Sequence, residues 1–259
     1  MKIYLRSFVF GLLCLNLAVH AQMGPGHGPH FDSALEKLFG HNQSFSSTLE
    51  MQMKAGDDGN TMVMPGKIYF DAGKSRFEMN MSEMKGHQMP PEAAAHMKAM
   101  GMDKMVTITL PKDKTAYLIY PDMQAYVVTQ VSDTEAATND FKMETTELGK
   151  ETVDGHPCVK SQVVVTDPEG NQHESTVWNA TDLNKFPIKI EQSEEGHEVT
   201  MLFKDIKLSK PDASLFNPPA GYTKYDSMPA MMQAEMMKHM GGGMMPGGMP
   251  GGAGQPPEN

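Results

Sequence analysis

Methionine and histidine are the residue types whose abundance and spacing could do chemistry here, with 26 Met and 10 His in a chain of 259 residues. Thioethers are soft ligands and imidazoles borderline ones, so several converging together favour Cu(I) over harder ions. Near the C-terminus, Met232, Met236, His239 and Met240 share a face at i, i+4, i+7 and i+8 if Pro229 to Met240 is helical. His96 and Met100 repeat the i, i+4 pairing earlier, with His87 and Met89 just before them. The competing reading is that a Met stripe at helical spacing is an apolar face packing on something. A strict Met-x-x-Met repeat would favour metal, and the tail holds only the fragments Met228-x-x-Met231 and Met237-x-x-Met240. His27 and His30 read as spacers in a flexible arm.

A second group of methionines falls on strand spacing. Phe45, Leu49, Met51 and Met53 occupy one phase of a run whose other phase is Ser46, Thr48, Glu50, Gln52 and Lys54. Met62, Met64, Ile68 and Phe70 continue the apolar phase on the next run, and Phe77, Met79 and Met81 on a third. Flexible, polarizable thioethers make an adaptable apolar surface, suited to an acyl chain or a variable hydrophobic partner. The candidate ligand-binding residues are therefore Leu49, Met51, Met53, Met62, Met64, Ile68, Phe77, Met79 and Met81. An ordinary Met-filled core is the alternative, and spacing alone does not separate the two.

Enzymatic chemistry finds no support. The sequence has no Gly-x-Ser-x-Gly elbow, no His-Glu-x-x-His pair, no phosphate-binding Gly loop and no Cys-x-x-Cys. Carboxylates fall on turns and on the polar sides of strands, where solvation is their default role. No catalytic residue is assigned, and no cofactor is expected apart from Cu(I) under the metal reading.

The ends of the chain read as non-core segments. Met1 to Ala21 has the form of a secretory signal peptide: Lys2 and Arg6, an apolar stretch from Phe8 to Val19, and Val19-His20-Ala21 as the cleavage signal. Its removal takes the formal net charge from −10 to −12, because two basic residues leave with it. An exported acidic chain without a basic run suits neither nucleic acid nor anionic lipid headgroups. Cys158 is then the one remaining cysteine, placed mid-strand beside valines, and reads as a small buried core residue. Residues 22–30 form a Gly/Pro/His arm, and 227–259 a Met/Gly/Pro-rich tail too poor in core formers to pack, with a possible helix at its start.

Between them, residues 31–226 read as one β domain. Phe31 to Phe39 suggests a short helix. Strands then follow with turns at Asp57–Asn60, Asp71–Lys74, Asp154-Gly155, Asp167–Asn171 and Asn179–Lys185. Residues 82–103 interrupt the meander with a Met-rich segment, helical after Pro90-Pro91, read either as a helix inserted between strands or as a lid over the sheet, and Thr134 to Lys142 as a second short helix. From Glu198 to Leu208 the apolar phase switches between Phe203 and Ile206, which predicts a β-bulge near Lys204-Asp205.

The string Leu148-Gly-Lys-Glu-Thr-Val-Asp-Gly-His-Pro-Cys158, then Val177-Trp178, Phe186-Pro-Ile-Lys-Ile190 and Leu215-Phe216-Asn-Pro-Pro-Ala-Gly-Tyr222, carries a family resemblance. It resembles an exported bacterial domain-of-unknown-function family, itself similar to the LolA/LppX-type lipoprotein-localisation proteins. That resemblance implies a mainly β fold: a strongly curved antiparallel half-barrel sheet with short helices as lid or plug. It further implies an apolar ligand, a lipid or lipoprotein acyl chain, on the concave face, and residence in the periplasm of a Gram-negative cell. The Met-rich insertion and tail are departures from it.

Overall fold

A computed structural model describes residues 33–55, 61–86, 90–131, 141–168, 170–194 and 197–241. The expected signal peptide, the 22–30 arm, the Asp57–Asn60 turn and residues 134–140 of the suggested second helix lie outside them, as do residues 242–259.

Two antiparallel meanders build one open, curved sheet. The first runs through β1 (Ser44–Ala55), β2 (Thr61–Asp71), β3 (Lys74–Asn80), β4 (Lys104–Leu110), β5 (Thr115–Tyr120) and β6 (Ala125–Gln130). The second runs through β7 (Lys142–Val153), β8 (His156–Thr166), β9 (Gln172–Ala180), β10 (Phe186–Glu194) and β11 (His197–Lys207). They join where β1 pairs antiparallel with β11. A short β12 (Thr223–Tyr225) adds a parallel edge beside β6. The order across the sheet is β12-β6-β5-β4-β3-β2-β1-β11-β10-β9-β8-β7.

Local chemistry explains the connections. Ala72-Gly73 and Asp154-Gly155 both take positive φ at their two central residues, the hairpin geometry that follows strand twist. The β4–β5 and β5–β6 links share another device: a 3-10 turn opened by Pro111 or Pro121, ending in left-handed Lys114 or Gln124. The expected bulge is present. The β1–β11 register slips between Ser46 and Thr48, opposite Lys207 and Lys204, and Asp205 sits at φ 52°.

Both faces of the sheet are partly covered. We call inner the face that carries α1 (Ser33–Leu38) and α3 (Met228–Gly241). On the outer face, the 3-10 turn Ala213–Phe216 lays Phe216 against Val106, Ile108 and Ile119. Cys158 is buried there with Trp178, Ala180 and Ile188, as a core residue. Trp178 is held from three sides: its Nε1 donates to Glu151 at 2.9 Å, and the Nζ atoms of Lys160 and Lys189 lie 4.7 and 4.2 Å from its ring centroid.

Two expectations change. The insertion does carry a helix, α2 (Pro91–Ala99), yet none of its residues is buried. Its sequence, PEAAAHMKA, is rich in helix formers but offers no apolar stripe, so the helix is an insertion between strands that seals none of the sheet. The domain does not close at residue 226 either. Met228–Gly241 is helical, and Met231 is wholly buried against β5 and β6.

Candidate functional site

The inner face is the candidate site, and strand register arranges its side chains in rows. Ser47, Ile68, Phe77, Thr107, Leu118 and Val127 are successive partners from β1 to β6. A second row runs Met201, Met51, Met64 across β11, β1 and β2, and a third runs Val199, Met53, Met62. Because side chains alternate along a strand, each row presents one residue from every strand to the same side.

The half of this face centred on β1 is closed by α1. Leu35, Leu38 and Phe39 join one cluster with residues of β1, β2, β3 and β8–β11. Phe39 stacks on Phe45 at 4.8 Å between centroids and meets Phe203 edge-on at 5.5 Å. Just beyond the helix, Asn42 Nδ2 donates to the carbonyls of Phe39 and Asn184, and Asn184 Nδ2 donates back to Asn42 Oδ1 at 3.2 Å. That reciprocal pair pins the plug to the β9–β10 turn.

The other half, over β5 and β6, is closed by α3. Met231 packs with Leu118, Tyr120, Ala125 and Val127, and half-buried Met102, Met105, Met123 and Met228 surround it. Burial pushes the Tyr120 phenol up to about 12. One turn on from Met231, Glu235 is buried at 7 % exposure and is satisfied from two sides, by Lys238 Nζ at 2.5 Å and by the Tyr225 hydroxyl at 3.3 Å.

Between the two apolar halves lies a strip of buried hydroxyls: Ser75, Thr107 and Thr109 on β3 and β4. The Thr107 hydroxyl, and that of Ser47 at the far end of its row, have no hydrogen-bond partner among the described residues. Leaving such a group unsatisfied costs about 1–3 kcal/mol.

Of the candidate ligand-binding residues, Leu49, Met51, Met64, Ile68 and Phe77 are interior side chains of the α1-covered cluster. Met53 and Met79 are half-buried against it, and Met62 is half-buried. Met81 leaves the set. β3 ends at Asn80, whose Oδ1 accepts from the Ser82 N–H at 3.0 Å, and this cap starts a 3-10 turn at Met81. Spacing did not reveal the α3 seat, although Leu118, Tyr120 and Val127 sit on regular strand phases.

The suggested metal ligands fall on or just beside α2 and on α3. His96 is exposed on α2 and Met100 half-buried just after it. Met232 is half-buried and Met236 is 58 % exposed, while His239 and Met240 lie in the final turn of α3. The face of α3 that packs is Met228, Met231 and Glu235, one position round from the proposed stripe. Among the described residues, no three His, Cys, Asp or Glu side chains group to hold a metal ion.

Gly66 interrupts the inner face for a steric reason. A Cβ there would sit 2.7 Å from both the Phe77 ring and the Glu78 carbonyl oxygen. Gly66→Ala is therefore expected to cost about 1–3 kcal/mol through overpacking, read as a lower midpoint in chemical denaturation. An unchanged midpoint would mean that the Phe77 ring moves aside freely.

Two cavities open on the outer face, the first with a largely apolar lining that includes Pro65, Met105, Val106 and Pro121, the second mainly polar. One of about 440 Å³ is flanked by Arg76, Glu78, Lys67 and Lys104, where Arg76 is already engaged by Glu78 at 2.7 Å and by the Leu215 carbonyl at 3.0 Å. Another of about 320 Å³ is lined by Glu174, Glu191, Glu198 and Gln162. Neither gathers a nucleophile with a base, or a set of metal ligands.

Solved structures similar to this chain include a LolA-superfamily protein from Nitrosomonas europaea, at 11 % identity and a TM-score of 0.41, covering 71 % of this chain and 94 % of that one. Another is the lipoprotein LppX from Mycobacterium tuberculosis, at 10 % identity and a TM-score of 0.40, covering 72 % and 94 %. No curated protein matches the chain. The family model described as Domain of unknown function (DUF4412) matches residues 45–186 and 166–222, from β1 to the turn before β12, and the chain belongs to that family.

Proposed function

We propose that this protein is a non-enzymatic, exported binding protein that takes an apolar ligand, a lipid or the acyl chain of a lipoprotein, on the inner face of its sheet. The observation that carries this reading is an open apolar sheet face covered by two helices instead of a second sheet. Each cover is one short element, α1 or α3, and the second is seated through thioethers. Methionine side chains adapt their shape at low cost, so they can repack around a chain that replaces the helix. The Thr107 hydroxyl, without a partner among the described residues and lying between the halves, can donate to the ester or carboxyl oxygen of an amphiphile.

Native mass spectrometry of the protein purified from its own envelope tests this most directly. A retained mass in the lipid range is expected, on a chain that begins at Gln22 if the leader is cleaved. The purified protein should also bind a fluorescent fatty acid saturably. A bare polypeptide mass together with no saturable probe signal would overturn the reading.

A further inference from the structure

Four methionines form a square on the inner face. Met51 is the register partner of Met64, and Met53 of Met62, on adjacent strands. Two more thioethers extend the Met51–Met64 row. Met201 opposes Met51 from β11. On the other side, Val63 and Lys85 exchange both backbone hydrogen bonds, at 2.8 and 2.9 Å, which brings Met84 alongside Met64. Met51, Met64 and Met201 are buried, Met53 and Met84 pack half-buried against the same cluster, and Met62 is half-buried. The square is thus closed beneath and reachable at its Met53–Met62 end.

We propose that this square is a soft-metal site that takes Cu(I), or Ag(I) as its analogue, through Met53 and Met62 with a further thioether from Met51, Met64 or Met84. Directly opposed antiparallel residues hold their Cβ atoms about 4.5–5.5 Å apart, so sulfurs on flexible arms from one pair can converge on one ion. The donor set is thioether only, which selects soft monovalent ions and rejects Zn(II), Mg(II) and Ca(II). Residue choice points the same way. Strands favour β-branched and aromatic side chains, yet four neighbouring inward positions carry methionine. A purely apolar floor does not need sulfur. The site is distinct from the helix-borne group Met232, Met236, His239 and Met240, and it does not depend on the lipid reading, although it shares the same face.

The test is Cu(I) titration of the mature full-length protein under reductant, in competition with a chromogenic chelator. Wild type is compared with Met53→Leu/Met62→Leu and, separately, with Met232→Leu/Met236→Leu/Met240→Leu. Leucine keeps the apolar volume and deletes the thioether, so the fold should survive. The first variant is expected to lose the tightest equivalent of Cu(I), with affinity falling about tenfold or more, while the second keeps it. Copper X-ray absorption of the wild type should report an all-sulfur shell. Identical titrations for wild type and Met53→Leu/Met62→Leu would overturn the proposal, as would loss only in the helix variant or no uptake by wild type. Fatty-acid probe binding is measured on the wild type alone, as a separate readout from Cu(I) uptake. Failure of the metal site is thereby distinguished from failure of the apolar-ligand reading.

Discussion

Ile68→Lys is expected to cost about 3–5 kcal/mol of folding stability, whereas Met62→Lys on the same strand should cost less than about 1 kcal/mol. Both positions carry the same inward phase in sequence, and the structure separates them. Ile68 has no exposed surface and lies in the cluster roofed by α1, with Ser47 and Phe77 as its strand partners. A lysine there has no carboxylate within the cluster to pair with, so its ammonium must either neutralise or drag the roof open. Met62 is half-buried, near the end of β2 where the hairpin begins, and a lysine stem can lie along Met53 while its head reaches water. Urea denaturation of both variants decides the matter. Equal losses would mean that the rim is as closed as the centre, and a mild loss at Ile68 would mean that the α1 cover is loose.

Ending the chain after Asp226 is expected to lower the melting temperature by about 5–10 °C. Burying one methionine fully is worth about 1.5–3 kcal/mol, and each kcal/mol moves the midpoint of a domain this size by about 2–4 °C. Met231 is fully buried, and its departure also uncovers Leu118, Tyr120 and Val127. Met231→Ala in the full-length protein should reproduce much of the loss, at about 2–4 kcal/mol. Scanning calorimetry of the two variants beside wild type checks this. A truncated protein melting with wild type would return the domain boundary to Asp226, where composition alone puts it.

The strands were legible because each has a buried face and a turn with its own chemistry. Phe45, Leu49 and Met51 alternate with polar residues, and Asp154-Gly155 admits the left-handed geometry that a two-residue hairpin requires. Even the bulge at Asp205 could be read, since inserting one residue must switch the apolar phase of everything after it. The seat of α3 could not. Methionines occur all round that helix, at 228, 231, 232, 236, 237 and 240, so no single face stands out, and the inward face includes a carboxylate. Glu235 looks like a solvent residue paired with Lys238 at i+3 until Tyr225, which meets it only in the folded chain, is placed beside it.

Of the two readings of residues 82–103, the inserted helix holds and the helix as a lid does not, on a point that was legible. Helix formers alone make a helix, but covering a sheet takes an apolar stripe, and PEAAAHMKA has none. The first half of β7, before Leu148, escaped for the opposite reason, while the Asp154-Gly155 turn marked the half that follows. β7 is an edge strand, exposed along almost all of its length, so it shows no alternation. Its many charges suit that position, because Lys142, Glu144, Glu147 and Lys150 discourage pairing with another chain.

The joining of β1 to β11 has a consequence for how the molecule comes to exist. Every other antiparallel pair in the sheet links consecutive strands, whose closure entropy is small and can be met as soon as both have emerged. The β1–β11 pair brings Met51 to Met201, residues separated by most of the domain, and nothing local rewards the approach. Local pairings within each meander can therefore form first, leaving an open side on each, β1 on one and β11 on the other. Until that last ladder zips, β1 and β11, which carry the core residues Leu49 and Phe203, are unprotected edges. The interval between making β1 and making β11 is when this chain is most exposed to self-association, and the Phe39–Phe45–Phe203 contacts that complete the core are also those that end that exposure.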